Sequence, residues 1–196
     1  MITKPWLILI LKGWEKMSLD KMTIANRYAK ALFELVVEQD QLDSTFEELK
    51  QLRDVFQTND NLAYLLTSVE LSLQEKQSIL KILTDGATPV VKNLIMMVFD
   101  YGRMDDMVAI IDEFERRYDS KKKRVHADVV TAVKLDATQK DQLSQTLAKK
   151  IDANEIMLSE QVDPSILGGV IIHANNETWD GSLSSKIEQI RRLLVK

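Results

Sequence analysis

The chain has 196 residues, 45% hydrophobic and 29% charged, with a formal charge of −4, the profile of one medium soluble domain or two small ones. It holds no cysteine and two histidines, His126 and His173, outside any HExxH pattern, which excludes disulfides and thiolate chemistry and speaks against a zinc site. Charge is uneven, with 10 basic and 18 acidic side chains over 22–119 but 12 and 10 over 120–196, a pattern of two domains with different partners and not of a nucleic-acid binder.

Residues 1–16 read as a mis-assigned or disordered extension. The apolar run over 6–11 is far shorter than the about 20 residues of a membrane span, and no small-x-small cleavage site follows it. Lys12-Gly13-Trp14-Glu15-Lys16 can be written almost wholly in purine codons, as a ribosome-binding sequence would be. Translation is therefore expected to start at Met17, with Met1 and Met22 the other candidates. An intact mass that includes Met1 overturns this.

Residues 17–120 read as an N-terminal bundle of six helices. The first, over 23–39, carries Ile24, Tyr28, Leu32 and Leu35 on one stripe, and Ala25, Ala29, Phe33, Val36 and Val37 extend its apolar surface. The second, over 42–57, places Leu42, Phe46, Leu49, Leu52 and Phe56 inward. A short third follows Asn59-Asp60 with Leu62, Leu65 and Leu66. The fourth opens on a capping box, Ser72-Leu73-Gln74-Glu75, in which Ser and Glu satisfy each other's free amides. The fifth starts at Thr88-Pro89 and stops at Tyr101-Gly102, and Val90, Val91, Leu94, Ile95, Met97, Val98 and Tyr101 leave it little polar surface. The sixth runs from about 104 past Tyr118, with Met107, Ile111, Phe114 and Tyr118 inward. Short connections make successive helices antiparallel neighbours.

The period changes at a switch over 120–124, the expected linker. Residues 121–196 read as a small α+β domain of about 70 residues, close to the lower limit for independent stability. Val125, Ala127, Val129, Thr131 and Val133 alternate as a strand. Asp136-Ala137-Thr138-Gln139 opens a helix with Leu143, Leu147 and Ile151 inward. A second strand covers 155–162, and 170–172 and 177–179 form a hairpin across Asn175-Asn176, residues that tolerate positive φ. A last helix carries Leu183, Ile187, Ile190 and Leu194 at 4-3-4 spacing, the seam of a helix packed on a partner surface.

No catalytic, cofactor or metal-ligating residue is assigned. Gly168-Gly169 lies in neither a GxGxxG nor a GxxxxGK[ST] frame and reads as a turn. Ser165 and Ser182 lack a nucleophile-elbow context. The cluster Arg116-Arg117 with Lys121-Lys122-Lys123-Arg124 could meet phosphate, but it sits where a helix ends and cations offset the negative pole of its dipole. What exceeds a self-contained fold is apolar surface on the first and fifth helices. That surface suits a groove receiving an amphipathic partner helix, and equally two central helices of the bundle. The residues alone thus lead to a two-domain adaptor.

Four stretches then resemble one family in its order and spacing. They are Ala25-Asn26-Arg27-Tyr28-Ala29-Lys30-Ala31-Leu32-Phe33; Tyr101-Gly102-Arg103 with Ile110, Phe114 and Tyr118; Ala127-Asp128-Val129-Val130-Thr131-Ala132 with Leu135; and Asp163-Pro164-Ser165-Ile166-Leu167-Gly168-Gly169-Val170-Ile171-Ile172 leading to Trp179-Asp180-Gly181-Ser182-Leu183. Together they resemble the F-type ATP synthase delta subunit, or oligomycin-sensitivity-conferring protein, over residues 17–196. The family often has Arg in place of His173 and Gly where Asn175 and Asn176 stand. The resemblance implies a non-catalytic stator subunit, peripheral on the cytoplasmic face of the bacterial membrane and held there only through the complex. Its helical domain is expected to bind the N-terminal helices of the alpha subunits, and its C-terminal domain the C-terminal end of subunit b. Tyr28, Leu32, Leu35, Val91, Leu94, Ile95 and Val98 are the expected head-facing residues, and Leu183, Ile187 and Ile190 the expected stalk contact. The alternative is an unrelated helical-bundle adaptor.

Overall fold

Helix ends fall where the sequence places caps and breakers. In the computed structural model, residues 21–194 are described; the expectations for residues 1–16 and for a start at Met17 lie outside them. The first unit, which ends at Arg116, is built from α1 (Lys21–Glu38), α2 (Leu42–Thr58), α3 (Leu62–Thr67), α4 (Leu73–Thr84), α5 (Pro89–Asp100), a 3-10 turn (Met104–Asp106) and most of α6 (Met107–Lys122). The box ahead of α4 forms as expected: the Glu75 amide donates to Ser72 Oγ at 3.4 Å, and the Ser72 amide donates to the Glu75 carboxylate at 2.8 Å. Thr88 acts differently. Its amide and hydroxyl both donate to Glu48 Oε2 at 3.0 Å, fastening the start of α5 to α2.

The Tyr101-Gly102-Arg103 motif is a helix stop. Gly102, at φ 62°, donates to Phe99 O, and Arg103 donates to Val98 O, the paired bonds that close a helix on a left-handed residue. The core of this unit holds Val36, Leu49, Ile95, Val98, Met107, Ile110 and Phe114, each 1% exposed or less. Phe33 meets Phe114 edge to face at 5.8 Å between ring centroids.

Helix α6 continues to Lys122, and a single left-handed residue, Lys123 at φ 53°, turns the chain into β1. Lys121 and Lys122 stabilise that last turn, where backbone carbonyls carry partial negative charge. The second unit begins at Arg117, within α6 and slightly upstream of the expected switch.

This unit contains β1 (Arg124–Thr131), α7 (Ala137–Ile151), β2 (Glu155–Val162), a 3-10 turn (Pro164–Ile166), β3 (Val170–Ala174), β4 (Glu177–Asp180) and α8 (Leu183–Leu194). The sheet order is β2-β1-β3-β4. Strands β1 and β2 are parallel across α7, while β1–β3 and β3–β4 are antiparallel. Asn175 and Asn176 both take positive φ, 49° and 61°, as a two-residue hairpin turn requires. Ala127, Leu147 and Ala174 form a small core, ringed by half-buried Val125, Ile151, Ile156, Leu158, Ile172 and Trp179.

Candidate functional site

The residues first weighed for chemistry serve structure. His126 Nε2 lies 2.9 Å from Asp119 Oδ2, and His173 Nδ1 lies 2.8 Å from Thr178 Oγ1, both on the exposed surface. The basic cluster at the end of α6 is engaged internally. Arg116 binds Glu113 through two bonds of 2.8 Å, Lys123 binds Asp152 at 2.8 Å, and Arg124 binds Glu155 at 2.8 Å. Arg124 and Lys122 also stand over the Tyr118 ring, at 5.1 and 5.6 Å.

Five of the seven residues expected to face the head are core. Leu32, Val91, Leu94, Ile95 and Val98 are all 6% exposed or less, covered by the unit's own helices. The stripe picked from periodicity is the one that holds the bundle together, so these five correct the expectation. Tyr28 and Leu35 lie one shoulder away from that stripe and are half-exposed. On α5 the matching shoulder carries Val90 and Met97, both half-exposed, and Tyr101, which is exposed.

Burial pushes the Tyr28 hydroxyl above its ordinary pKa, with smaller influences from Arg103, which lowers it, and from Tyr101 and Asp106, which raise it. Tyr28 therefore sits beside Tyr101-Gly102-Arg103, bringing two of the sequence motifs to one place. Val90, Met97 and Tyr101 were missed as surface residues. The available signal was their position about a quarter-turn off the most apolar stripe.

The C-terminal motif is a fastening for α8. Gly169 has φ +80°, and a Cβ there would stand 2.3 Å from Gly181 O; only glycine lets the two backbone segments cross so closely. Across that crossing the Gly181 amide donates to Val170 O, and the Leu183 amide to Gly168 O, both at 2.9 Å. Asp180 accepts from Ser185 Oγ at 2.5 Å and from the Ser182 amide at 2.8 Å, and these bonds hold its carboxyl below the usual range, the Ser185 hydroxyl first. Ser182, 1% exposed, accepts from the Ser185 amide at 3.2 Å, a side-chain cap on the first turn.

Beyond its cap α8 buries none of its 12 residues. Leu183, Ile187, Ile190 and Leu194 are 48, 55, 57 and 79% exposed. The expected stalk-contact residues are thus held on a well-anchored helix whose apolar seam is open.

Comparison with known proteins matches the chain over most of its length. A family profile described as ATP synthase delta (OSCP) subunit matches residues 24–194. The chain is 63% identical to the ATP synthase subunit delta of Limosilactobacillus reuteri (strain DSM 20016) over 180 residues, covering 92% of this chain and all of that one. It is 49% identical to the ATP synthase subunit delta of Lactiplantibacillus plantarum over 179 residues, 91% of this chain and 99% of the other. A chain in the cryo-EM structure of the Toxoplasma gondii mitochondrial ATP synthase hexamer shares the fold at a TM-score of 0.63 and 19% identity, with 88% of this chain and 97% of that chain covered.

Proposed function

This chain belongs to the ATP synthase delta (OSCP) family, a peripheral-stalk component of F-type ATP synthase, and on that premise we propose that it is a two-handed tether with no chemistry of its own. The helical unit binds the N-terminal helices of the alpha subunits along the shoulders of α1, with half-exposed Tyr28 and Leu35, and of α5, with half-exposed Met97 and exposed Tyr101. The C-terminal unit holds the end of subunit b through the seam Leu183, Ile187 and Ile190. Rotation of the central shaft drags on the catalytic head, and a tether gripping head and stalk together resists that torque. The complex works at the cytoplasmic face of the bacterial membrane. Among the described residues no helix is long and apolar enough to cross a membrane, so attachment there is through partners. The alternative of an unrelated adaptor falls with family membership.

The observation that carries this reading is α8, a capped helix whose first seam residue, Leu183, packs near Gly168 while Ile187, Ile190 and Leu194 stay more than half exposed. Surplus apolar surface on a folded chain marks an interaction site. The test is reconstitution of membranes and catalytic heads stripped of this chain. Added protein restores ATP-driven proton pumping; Ile187→Asp binds the head without restoring it, and Leu35→Asp fails to bind the head. The isolated chain neither binds nor hydrolyses ATP, and a nucleotide affinity measured by calorimetry overturns the tether reading.

A further inference from the structure

Helix α8 carries more than an apolar seam. At 3.6 residues per turn, Lys186 and Arg191 fall about 70° to either side of the line through Leu183, Ile187, Ile190 and Leu194, while Arg192 falls on the opposite face. The only acidic residue of the helix, Glu188, lies 3.4 Å from Arg192 and 3.8 Å from Arg191, so one carboxylate serves two guanidinium groups. Among the described residues Lys186 has no ion-pair partner. The seam is therefore bordered by a cation on each side, and both borders keep positive charge in excess.

Resting on the stalk-contact reading of α8, we infer that the segment seated on this seam is an amphipathic helix whose own flanking positions are acidic, so that carboxylates meet Lys186 and Arg191 across the interface. In paired helices the positions beside the seam set partner choice and orientation. Like charges there oppose the wrong partner, and opposite charges speed encounter with the right one. A basic amphipathic helix can also lie on an anionic lipid surface, but α8 is a poor fit to that role. It has no aromatic residue, and five of its 12 residues are apolar, four on the seam and Leu193 beside it. Its first turn is also tied to the β3–β4 unit by the Ser182 and Asp180 bonds.

The test uses the full chain and a purified peptide spanning the C-terminal end of the b subunit encoded with it, with binding followed by calorimetry at low and high salt. The wild-type affinity falls with salt. Lys186→Glu with Arg191→Glu weakens it about tenfold at low salt and removes most of the salt dependence, while Arg192→Glu stays within about twofold. All three positions are exposed, and circular dichroism shows that the variants keep their helix. A double reversal that binds like the wild type, or a wild-type affinity indifferent to salt, overturns the acidic-flank inference while Ile187→Asp still abolishes binding. If Ile187→Asp binds the peptide normally, the stalk reading of α8 falls and this inference with it. Capture of the wild type by phosphatidylglycerol vesicles, with no affinity for the peptide, also overturns it in favour of a lipid surface.

Discussion

The two units close themselves by different means. In the helical unit, large side chains do it: Phe114, Leu49, Ile95, Met107 and Ile110 are 1% exposed or less, and they come from three helices. In the C-terminal unit one buried cluster is built on Ala127, Ala174 and a single leucine, Leu147, and Val129, Ile166 and Tyr118 are buried as well. Closure there rests on a sheet and on carboxylates that cap backbone amides. Asp163 accepts from Ser165, Asp180 from Ser182 and Glu160 from Leu135. A packed core resists deformation through many contacts at once, whereas a capped scaffold fixes a few backbone points and leaves a whole helix free to meet a partner. On the proposed tether reading, that contrast suits one unit that grips the head and another that offers α8 to the stalk.

The contrast is broken most directly by cavities. Phe114→Ala should destabilise the helical unit by about 3–5 kcal/mol, whereas Leu147→Ala, whose neighbours are half-buried and able to collapse, should fall near 2 kcal/mol. Urea unfolding followed separately in each unit measures both; equal losses would erase the distinction. Next in size is Gly169→Ala. It forces a side chain into a left-handed backbone and against Gly181 O, and should cost about 1–3 kcal/mol. Amide exchange should show the start of α8 released first.

Much of the architecture was legible because it is written in local chemistry. The boxes at Ser72–Glu75 and Asp136–Gln139 form as read, the hairpin turns at Asn175-Asn176, and β2 spans the residues its alternation marks. What was not legible depends on distant partners. Thr88, where the fifth helix was read to start, donates to Glu48, a residue on another helix. The need for glycine at 169 is set by Gly181, across the crossing. Periodicity gave the phase of the stripe on α1 but not the width of what covers it, so Leu32 and Leu35 read alike although one is core and the other half-exposed. For α8 the seam was legible as spacing, and only the fold shows that Ile187, Ile190 and Leu194 are left more than half exposed.

Acid sharpens the comparison further. Four carboxylates of the C-terminal unit have pKa values lowered by bonds made in the folded state. Asp180 is lowered mainly by the Ser185 hydroxyl, Asp163 by Ser165, Glu160 by the Leu135 amide and Asp152 by Lys123. In the helical unit Glu75, bonded to Ser72, is the comparable case. A group with a lowered folded pKa gives stability above its unfolded pKa and loses it as pH falls through the folded one, because the unfolded chain then binds more protons. Protection of β3, β4 and the α8 cap should therefore decline as pH drops below the ordinary carboxylate range of about 4, before α1 and α5 open. Hydrogen exchange at a series of acidic pH values reads the order. Simultaneous loss would mean that the capping carboxylates contribute little to closure.

The smallest effect on stability comes from charging the open surfaces, and it separates core from interface most cleanly. Ile187→Asp changes a residue already 55% exposed, so unfolding should shift by less than about 0.5 kcal/mol while stalk binding is lost. Val98→Asp, at 0% exposure, places an unpaired carboxylate in the core and should prevent the helical unit from folding. Leu35→Asp falls between them, because its side chain is half-exposed: folding persists with a modest loss, and affinity for the head drops. A thermal melt paired with a head-binding assay resolves the three. If Leu35→Asp unfolds as Val98→Asp does, the α1 shoulder is core, and the surface that meets the head must lie elsewhere on the bundle.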